Sequence, residues 1–450
     1  MPQSPAVSSG GSTLDGLDTA AVARALSQVG DRDDDLVDAF FERREEVELP
    51  ADGETPGFRL VREEGLAVRL VRGGQSWLSA RDELGSEAFA DALRQVARAL
   101  SSALYPEPRL DPEPWGDPPA AEELAELPLE LARAIRAHHV AFPLRLTVRR
   151  HRREVQVVGP RLVPEPEVER FYSLEAELPW GSWGAIVPEL AGAAEAAAEA
   201  LVERFRCRNA APPDGRSETA VVLGAGAAAV LLHEAVAHAL EADTLAGSGR
   251  PEAAVGVVLG PPALSVLDDP GAAPEPVRRR TDDEGVAVER RWLLREGVVE
   301  QPLADRLWAR GSEVLAPGAG RRASRHEPPG PRSTHLELLP GEAADDDLAA
   351  GADGGYLVSQ VSRGALDAAT GRFFLEAPCA RRIRRGVPAD PVGRLRIEGT
   401  VAGLASRIAA VGREARSGGA GWCAKGARKL PVWATAPALR LEGVGVAPAP

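Results

Sequence analysis

The segment His233-Glu234-Ala235-Val236-Ala237-His238 places two imidazoles and a carboxylate at the end of an apolar run, Val221 to Leu232. Ionisable groups in such surroundings are costly unless they pair or hold a metal. These residue types suit a catalytic zinc, with His233 and His238 as ligands and Glu234 as the base that acts on a metal-polarised water. In the commoner zinc-peptidase helix the ligands stand at i and i+4, whereas here they stand at i and i+5. On a regular α-helix that offset turns the rings about 140° apart. Both reach one metal only if the helix unwinds locally or carries a π-type turn, a distortion found mostly at functional sites. Taken alone, the six residues also fit two unrelated histidines on a packed helix.

The elements that must position these groups fall into two textures, which together predict an α+β fold. Up to about residue 210 one layout occurs twice. In the first copy Leu36 to Leu49, Phe58 to Val61 and Leu66 to Val71 read as strands with a turn at Gly73-Gly74, followed by a helix marked by Phe89, Leu93, Val96 and Leu100. In the second, Leu144 to Val148 and Glu154 to Val158 read as a hairpin and Phe171 to Leu178 as a further strand. A helix with Leu190, Ala194, Leu201 and Phe205 at helical spacing follows. The copies are joined by the proline-rich stretch Tyr105 to Pro119 and a helix from about Ala121 to His139. This half is expected to be a domain of duplicated strand-strand-helix units over 17–212, after a disordered tail over 1–16. From 213 to 450, short strand-like runs separated by glycine and proline predict a mostly β domain carrying the metal-binding helix. Ser248 to Pro276 and Pro317 to Pro331 read as long loops near a cleft.

Composition narrows the function. A formal net charge of −14 argues against nucleic acid as a partner, because phosphate binding needs a basic face. Only two lysines occur, Lys425 and Lys429, so individual arginines are not read as selected for function. No apolar run is long enough to span a bilayer, and Met1 to Gly16 lacks the pattern of a secretory signal, so no membrane association is expected. Cys207, Cys379 and Cys423 form an odd, widely spaced set, which suits a reducing, cytoplasmic setting. Cys207 and Cys379 read as small buried apolar residues, His326 and His335 as surface residues.

The series of short segments resembles the TldD/PmbA family, in its metal-binding branch. It runs through Ala39-Phe40-Phe41-Glu42-Arg43-Arg44, Gly65-Leu66-Ala67-Val68-Arg69, and His233-Glu234-Ala235 to Glu241-Ala242-Asp243. It continues with Asp283-Glu284-Gly285, Arg295-Glu296-Gly297-Val298, Pro331-Arg332-Ser333-Thr334 and Leu339-Pro340-Gly341. Thr370-Gly371-Arg372-Phe373 and Gly421-Trp422-Cys423-Ala424-Lys425 complete it.

The resemblance implies a zinc metallopeptidase that hydrolyses peptides or unfolded polypeptides. His233, His238 and Cys423 would be the metal ligands and Glu234 the catalytic base. Glu241 and Asp243 are candidates to orient a histidine ring. The family also implies a homodimer, or a heterodimer with a metal-free PmbA/TldE-like paralogue. The competing reading is a non-catalytic scaffold or partner subunit of such a complex. Ala237, Ala239 and Ala242 stand where the family usually has glycine, which works against a π-turn since alanine favours regular helix. His335 stands where it usually has asparagine.

Overall fold

The computed structural model describes residues 13–449 except 15, 31, 33–34, 51–57, 99–109, 111–112, 117–121, 251–253, 418–420 and 426–428. Most of the expected tail over 1–16, most of the Tyr105 to Pro119 joint, Ala121 at the expected helix start and Leu100 at the end of the expected first helix lie outside the described residues.

The N-terminal half is a duplicated unit. The first copy contains α1 (Thr19–Ser27), β1 (Leu36–Leu49), β2 (Arg59–Arg72), β3 (Gln75–Arg81) and α2 (Ser86–Arg98). The second contains α3 (Glu122–Ala137), β4 (Arg145–Val158), β5 (Glu167–Leu178), β6 (Gly181–Val187) and α4 (Ala193–Cys207). The six strands form one antiparallel sheet in the order β3-β2-β1-β4-β5-β6, so the copies meet at β1 and β4. Gly73 and Gly74 both have positive φ, 57° and 78°, as a two-residue hairpin turn between β2 and β3 requires.

Two sequence expectations change here. Arg59 to Val61 and Leu66 to Val71 belong to one strand, β2, with Phe58 just before it, and the expected hairpin over Leu144 to Val158 is the single strand β4 from Arg145 on. The arginine run that looked like a turn is held inside the sheet by carboxylates. Arg149 meets Glu48 at 2.6 Å, Arg150 meets Glu123 at 2.6 Å and Arg153 meets Glu42 at 3.0 Å. Each copy therefore has three strands and a following helix.

Alternation along β1 separates the two faces of this sheet. Val37, Ala39 and Phe41 join the core beneath α1 and α2. Asp38 and Glu42 face the C-terminal half and are fully buried. There they enter an ion network. Arg69 bridges Asp38 and Glu284, Arg153 meets Asp283 at 3.2 Å, Arg279 joins Glu169 to Asp283, and Arg322 reaches Asp38 at 3.2 Å.

The C-terminal half holds two further large sheets. One has nine strands, with Arg363–Asp367 at one end and β7 (Ser217–Leu223) near its middle. The other has seven, including His335–Leu338 paired in parallel with Leu430–Ala436. The chain leaves β7 through Gly224 and enters α5 (Ala225–Leu232), which packs between the two sheets. Its Ala227, Ala228, Leu231 and Leu232 share a core with Leu223 and Val358 on one side and Leu336 and Ala434 on the other. A helix that is apolar all round is expected in such a place. The loop over 248–276 contains a short strand, Val266–Asp268, and that over 317–331 the paired segments Gly320–Arg321 and Gly330–Pro331.

The ion network carries a pH signature. Asp305 is buried and lies near Glu284; burial first, then that charge, pushes its carboxyl up from 3.8 to about 7. A group raised in the folded state contributes stability below its unfolded pKa and loses it as pH rises through the folded value. Asp305 also accepts the Trp308 N–H at 2.8 Å, a bond an asparagine keeps. Asp305→Asn should therefore lose less melting midpoint than the parent between pH 4 and about 7. Thermal melts across that range check this; parallel curves would remove Asp305 as the cause.

Candidate metal centre

α5 does not continue as an α-helix. His233–Ala237 form a π-turn and His238–Leu240 a 3-10 turn. The His238 N–H donates to the His233 carbonyl, closing the wider ring across the same five-residue step that separates the two imidazoles. The π-turn brings residues five apart toward one side, and the ring centroids lie 4.4 Å apart. Ala237 sits at φ −62°, ψ −55°, ordinary helical values, so this position does not need glycine.

Cys423 arrives on the short strand Gly421–Cys423, opposite Leu430. Its Sγ is 3.6 Å from His238 Nε2. The donor atoms of His233, His238 and Cys423 all lie within 4.8 Å of one another, and no other such cluster occurs among the described residues. An ion bonding nitrogen and sulfur at about 2.0–2.3 Å needs donors only a few ångströms apart, so the set fits a metal with little adjustment.

The donors are strongly coupled to one another and to Glu241. Burial opposes the Cys423 thiolate, but hydrogen bonds from His233 and His238 outweigh it and bring the thiol down to about 5. Burial likewise opposes a charged His238, but Glu241 outweighs it and lifts the imidazole to about 10. Glu241 is fully buried and lies 2.9 Å from His238 Nδ1. Its other oxygen accepts from Lys425 Nζ at 2.6 Å, and Lys425 also donates to Asp243 at 2.8 Å. The chain Lys425–Glu241–His238 fixes the ring so that Nε2 faces the sulfur.

Glu234 points toward the strand Arg363–Asp367. A Cβ at Gly364 would come within 2.6 Å of Glu234 Cγ, so glycine there makes room for the carboxylate. Burial, the largest influence, raises the Glu234 carboxyl above its usual range despite the nearby histidines. His233 and Glu234 line a cleft of about 640 Å³, walled by Trp183 of β6, Gly364, Trp422 and Lys429. Its two sides come from the edge strand of the six-stranded sheet and the edge strand of the nine-stranded sheet.

Four residues singled out from sequence, His233, Glu234, His238 and Cys423, are thus brought together. Glu241 touches the His238 ring, while Asp243 accepts from Lys425 and from the Thr244 N–H and touches neither ring. His335 is not a surface residue: it is buried on its strand, with Nδ1 3.1 Å from the Asp269 carbonyl and Nε2 3.3 Å from Thr435 Oγ1. An apolar strand flank and two polar partners explain the burial. His326 is exposed beside Asp82 at 2.8 Å. Sequence reasoning passed over Lys425 and Gly364. Lysine rarity was a usable signal for the first, and nothing marked the second.

Residues 216–448 match the family model of the PmbA/TldA metallopeptidase C-terminal domain. A metalloprotease TldD homolog of Haemophilus influenzae is 31% identical over 232 residues, covering 50% of this chain and 47% of that protein. One from Buchnera aphidicola is 29% identical over 228 residues, covering 50% and 47%. The chain thus spans about half the length of the curated relatives it matches. Among solved structures, TldE from Thermococcus kodakarensis superposes with a TM-score of 0.70 at 19% identity, over 95% of this chain and 100% of that one. A putative modulator of a DNA gyrase from Thermotoga maritima gives 0.68 at 19%, over 95% and 99%. These two likenesses show the fold.

The carboxylate behind His238 supplies a direct test. Glu241→Gln keeps the shape but removes the charge that holds the ring and Lys425. Metal affinity should fall by roughly 10–100-fold, measured by competition with a chromogenic chelator; unchanged affinity would leave Glu241 without that role.

Proposed function

The chain belongs to the PmbA/TldD metallopeptidase family, and from that premise we propose that it is a zinc-dependent peptidase acting on peptides or unfolded polypeptides. The observation that carries the reading is the convergence of His233, His238 and Cys423 on one point, with Glu234 beside it at the floor of a cleft. Two imidazoles and a thiolate are a donor set that suits zinc and leaves a coordination position open. When bound, the metal supplies Lewis-acid polarisation of a carbonyl and of water.

The chain's own residues do the rest. Glu234, whose carboxyl burial raises above its usual range, accepts a proton from the attacking water and returns it to the leaving amine. Gly364 leaves the space in which it moves. Glu241 and Lys425 keep His238 turned toward the site, and Asp243 holds Lys425. The strands Arg363–Asp367 and β6 each end a sheet, so an extended chain can pair with their free backbone groups. A folded domain is too large for a cleft of about 640 Å³, which favours unfolded substrates.

The same reading divides the chain into an N-terminal unit over 17–212 and a metallopeptidase unit over 213–450. It has the protein working as a homodimer, or as a heterodimer with a metal-free PmbA/TldE-like paralogue, in the cytoplasm. Among the described residues no helix is long and apolar enough to cross a membrane, and the three cysteines are free thiols.

Elemental analysis of purified protein should find about one zinc per chain. His238→Ala and Cys423→Ala should lose both zinc and cleavage of an unfolded peptide. No zinc after reconstitution at neutral pH would hand the chain to the scaffold reading. Glu234→Gln should keep its zinc and cleave about 10²–10⁴-fold more slowly. Gly364→Ala should also retain zinc with reduced kcat, because the added methyl presses on Glu234; a fully active Glu234→Gln would refute the base assignment.

A further inference from the structure

Two cysteines outside the metal cluster meet where the two halves of the chain join. Cys207 is the last residue of α4, and Cys379 follows the strand Arg372–Ala377 in the nine-stranded sheet. Both are buried, and each thiol shifts the proton affinity of the other. Cys207 Sγ also lies 3.8 Å from the carbonyl of Ala380. The chain has three cysteines in 450 residues, and the third belongs to the metal cluster. Two residues this rare and this far apart in sequence, brought side by side across a joint through the Ala380 carbonyl, need a reason beyond the filling of space.

The surroundings supply it. Arg204, one turn before Cys207, donates to the Ser182 carbonyl on β6 at 2.5 Å and to Gln360 Oε1 at 2.9 Å. Gln360 in turn donates to the Ala200 carbonyl at 2.9 Å, and the chain runs on from it into the strand Arg363–Asp367. The end of α4 therefore holds both walls of the cleft over His233 and Glu234. The Gly393 N–H donates to the Ala211 carbonyl at 2.9 Å just beyond, so the joint is tight. Cys207 lines two surface depressions of about 560 and 470 Å³, which give a small molecule access.

We propose that Cys207 and Cys379 are the site of a reversible disulfide that joins α4 to the nine-stranded sheet and fixes the width of the cleft. The oxidant is a small-molecule disulfide. The Cys207 thiolate attacks one of its sulfurs, giving a mixed disulfide and releasing one thiol. Cys379 then gives up its proton and attacks Cys207 Sγ, expelling the second thiol. Two protein thiols and one disulfide become one protein disulfide and two small thiols. Cys207 attacks first because it, and not Cys379, lines the two depressions, and its thiol is lowered while that of Cys379 is raised. The importance of the cleft rests on the peptidase reading; the bond itself does not.

The test uses the full-length protein exposed to oxidised glutathione. Intact mass should fall by two hydrogens, peptide mapping should recover a Cys207–Cys379 cross-link, and dithiothreitol should reverse both. Hydrogen exchange should slow severalfold in Gly181–Val187 and Arg363–Asp367 of the oxidised protein. Neither change should occur in Cys207→Ala or, independently, in Cys379→Ala. Glutathione adducts without the cross-link would overturn the proposal, as would a cross-link that leaves exchange in both walls unchanged. Both readouts are blind to metal and cleavage, so an inactive enzyme would leave this result standing.

Discussion

Everything at the candidate metal centre depends on one constraint: two histidines five residues apart on a helix that cannot rotate. α5 lies between two sheets, and its alanines and leucines are buried against both. A regular helix in that slot would aim one histidine at the cleft and the other into the core, where an imidazole would be stranded. The π-turn at His233–Ala237 resolves the conflict by widening the helix where the ligands sit. The twist is spent within a few residues, as the 3-10 turn at His238–Leu240 tightens the chain again before Glu241. Close packing on both sides is what makes the distortion permanent rather than occasional.

Buried charge is handled in two different ways in this chain. Between the halves, carboxylates meet guanidinium groups directly: Asp283 is held far below the usual carboxylate range by Arg153, Arg279 and Arg321, despite full burial. Breaking one partner there would strand a charge, so the network fixes how the sheets are placed. At the metal cluster the donors face one another, with the Cys423 thiol brought down by histidines and His238 raised by Glu241. On the proposed reading, a thiolate and two imidazoles pointed at a common centre are completed by a cation there. The first arrangement is satisfied within the protein; the second, on that reading, is arranged for a metal.

How much of this was legible follows from range. His233, Glu234 and His238 were readable because their chemistry and spacing are local, and the same spacing required the distortion that the structure contains. The β1 and β5 strands were readable from alternation, whereas β2 was read as two separate pieces. The unbroken β4 was not, because Arg149 to Arg153 resemble a solvated turn until Glu48, Glu123 and Glu42 are placed opposite them. The separation of the C-terminal strands into two sheets was equally hidden. It rests on pairings such as His335–Leu338 with Leu430–Ala436 and Tyr356–Val358 with β7, between segments far apart in the chain. Cys423 was found through the family resemblance, and Gly364 through nothing, since its role is an absence of atoms beside Glu234.

The two halves contribute unequally to the cleft. Every candidate chemical group, from His233 to Lys425, lies within 216–448, the portion that matches the family model. The N-terminal sheet adds no such group but supplies one wall, through β5 and β6. On the proposed reading, bond cleavage belongs to the C-terminal half and admission of substrate to the joint between the halves. Changes in Trp183 or Ile186 would then alter which chains enter without touching the metal. A wall that selects must hold a set distance from the groups that react, and here it is held by the ion network at one side and by the end of α4 at the other. That explains why so much buried charge is placed where no chemistry occurs: the distance it maintains gives the metal centre a substrate site.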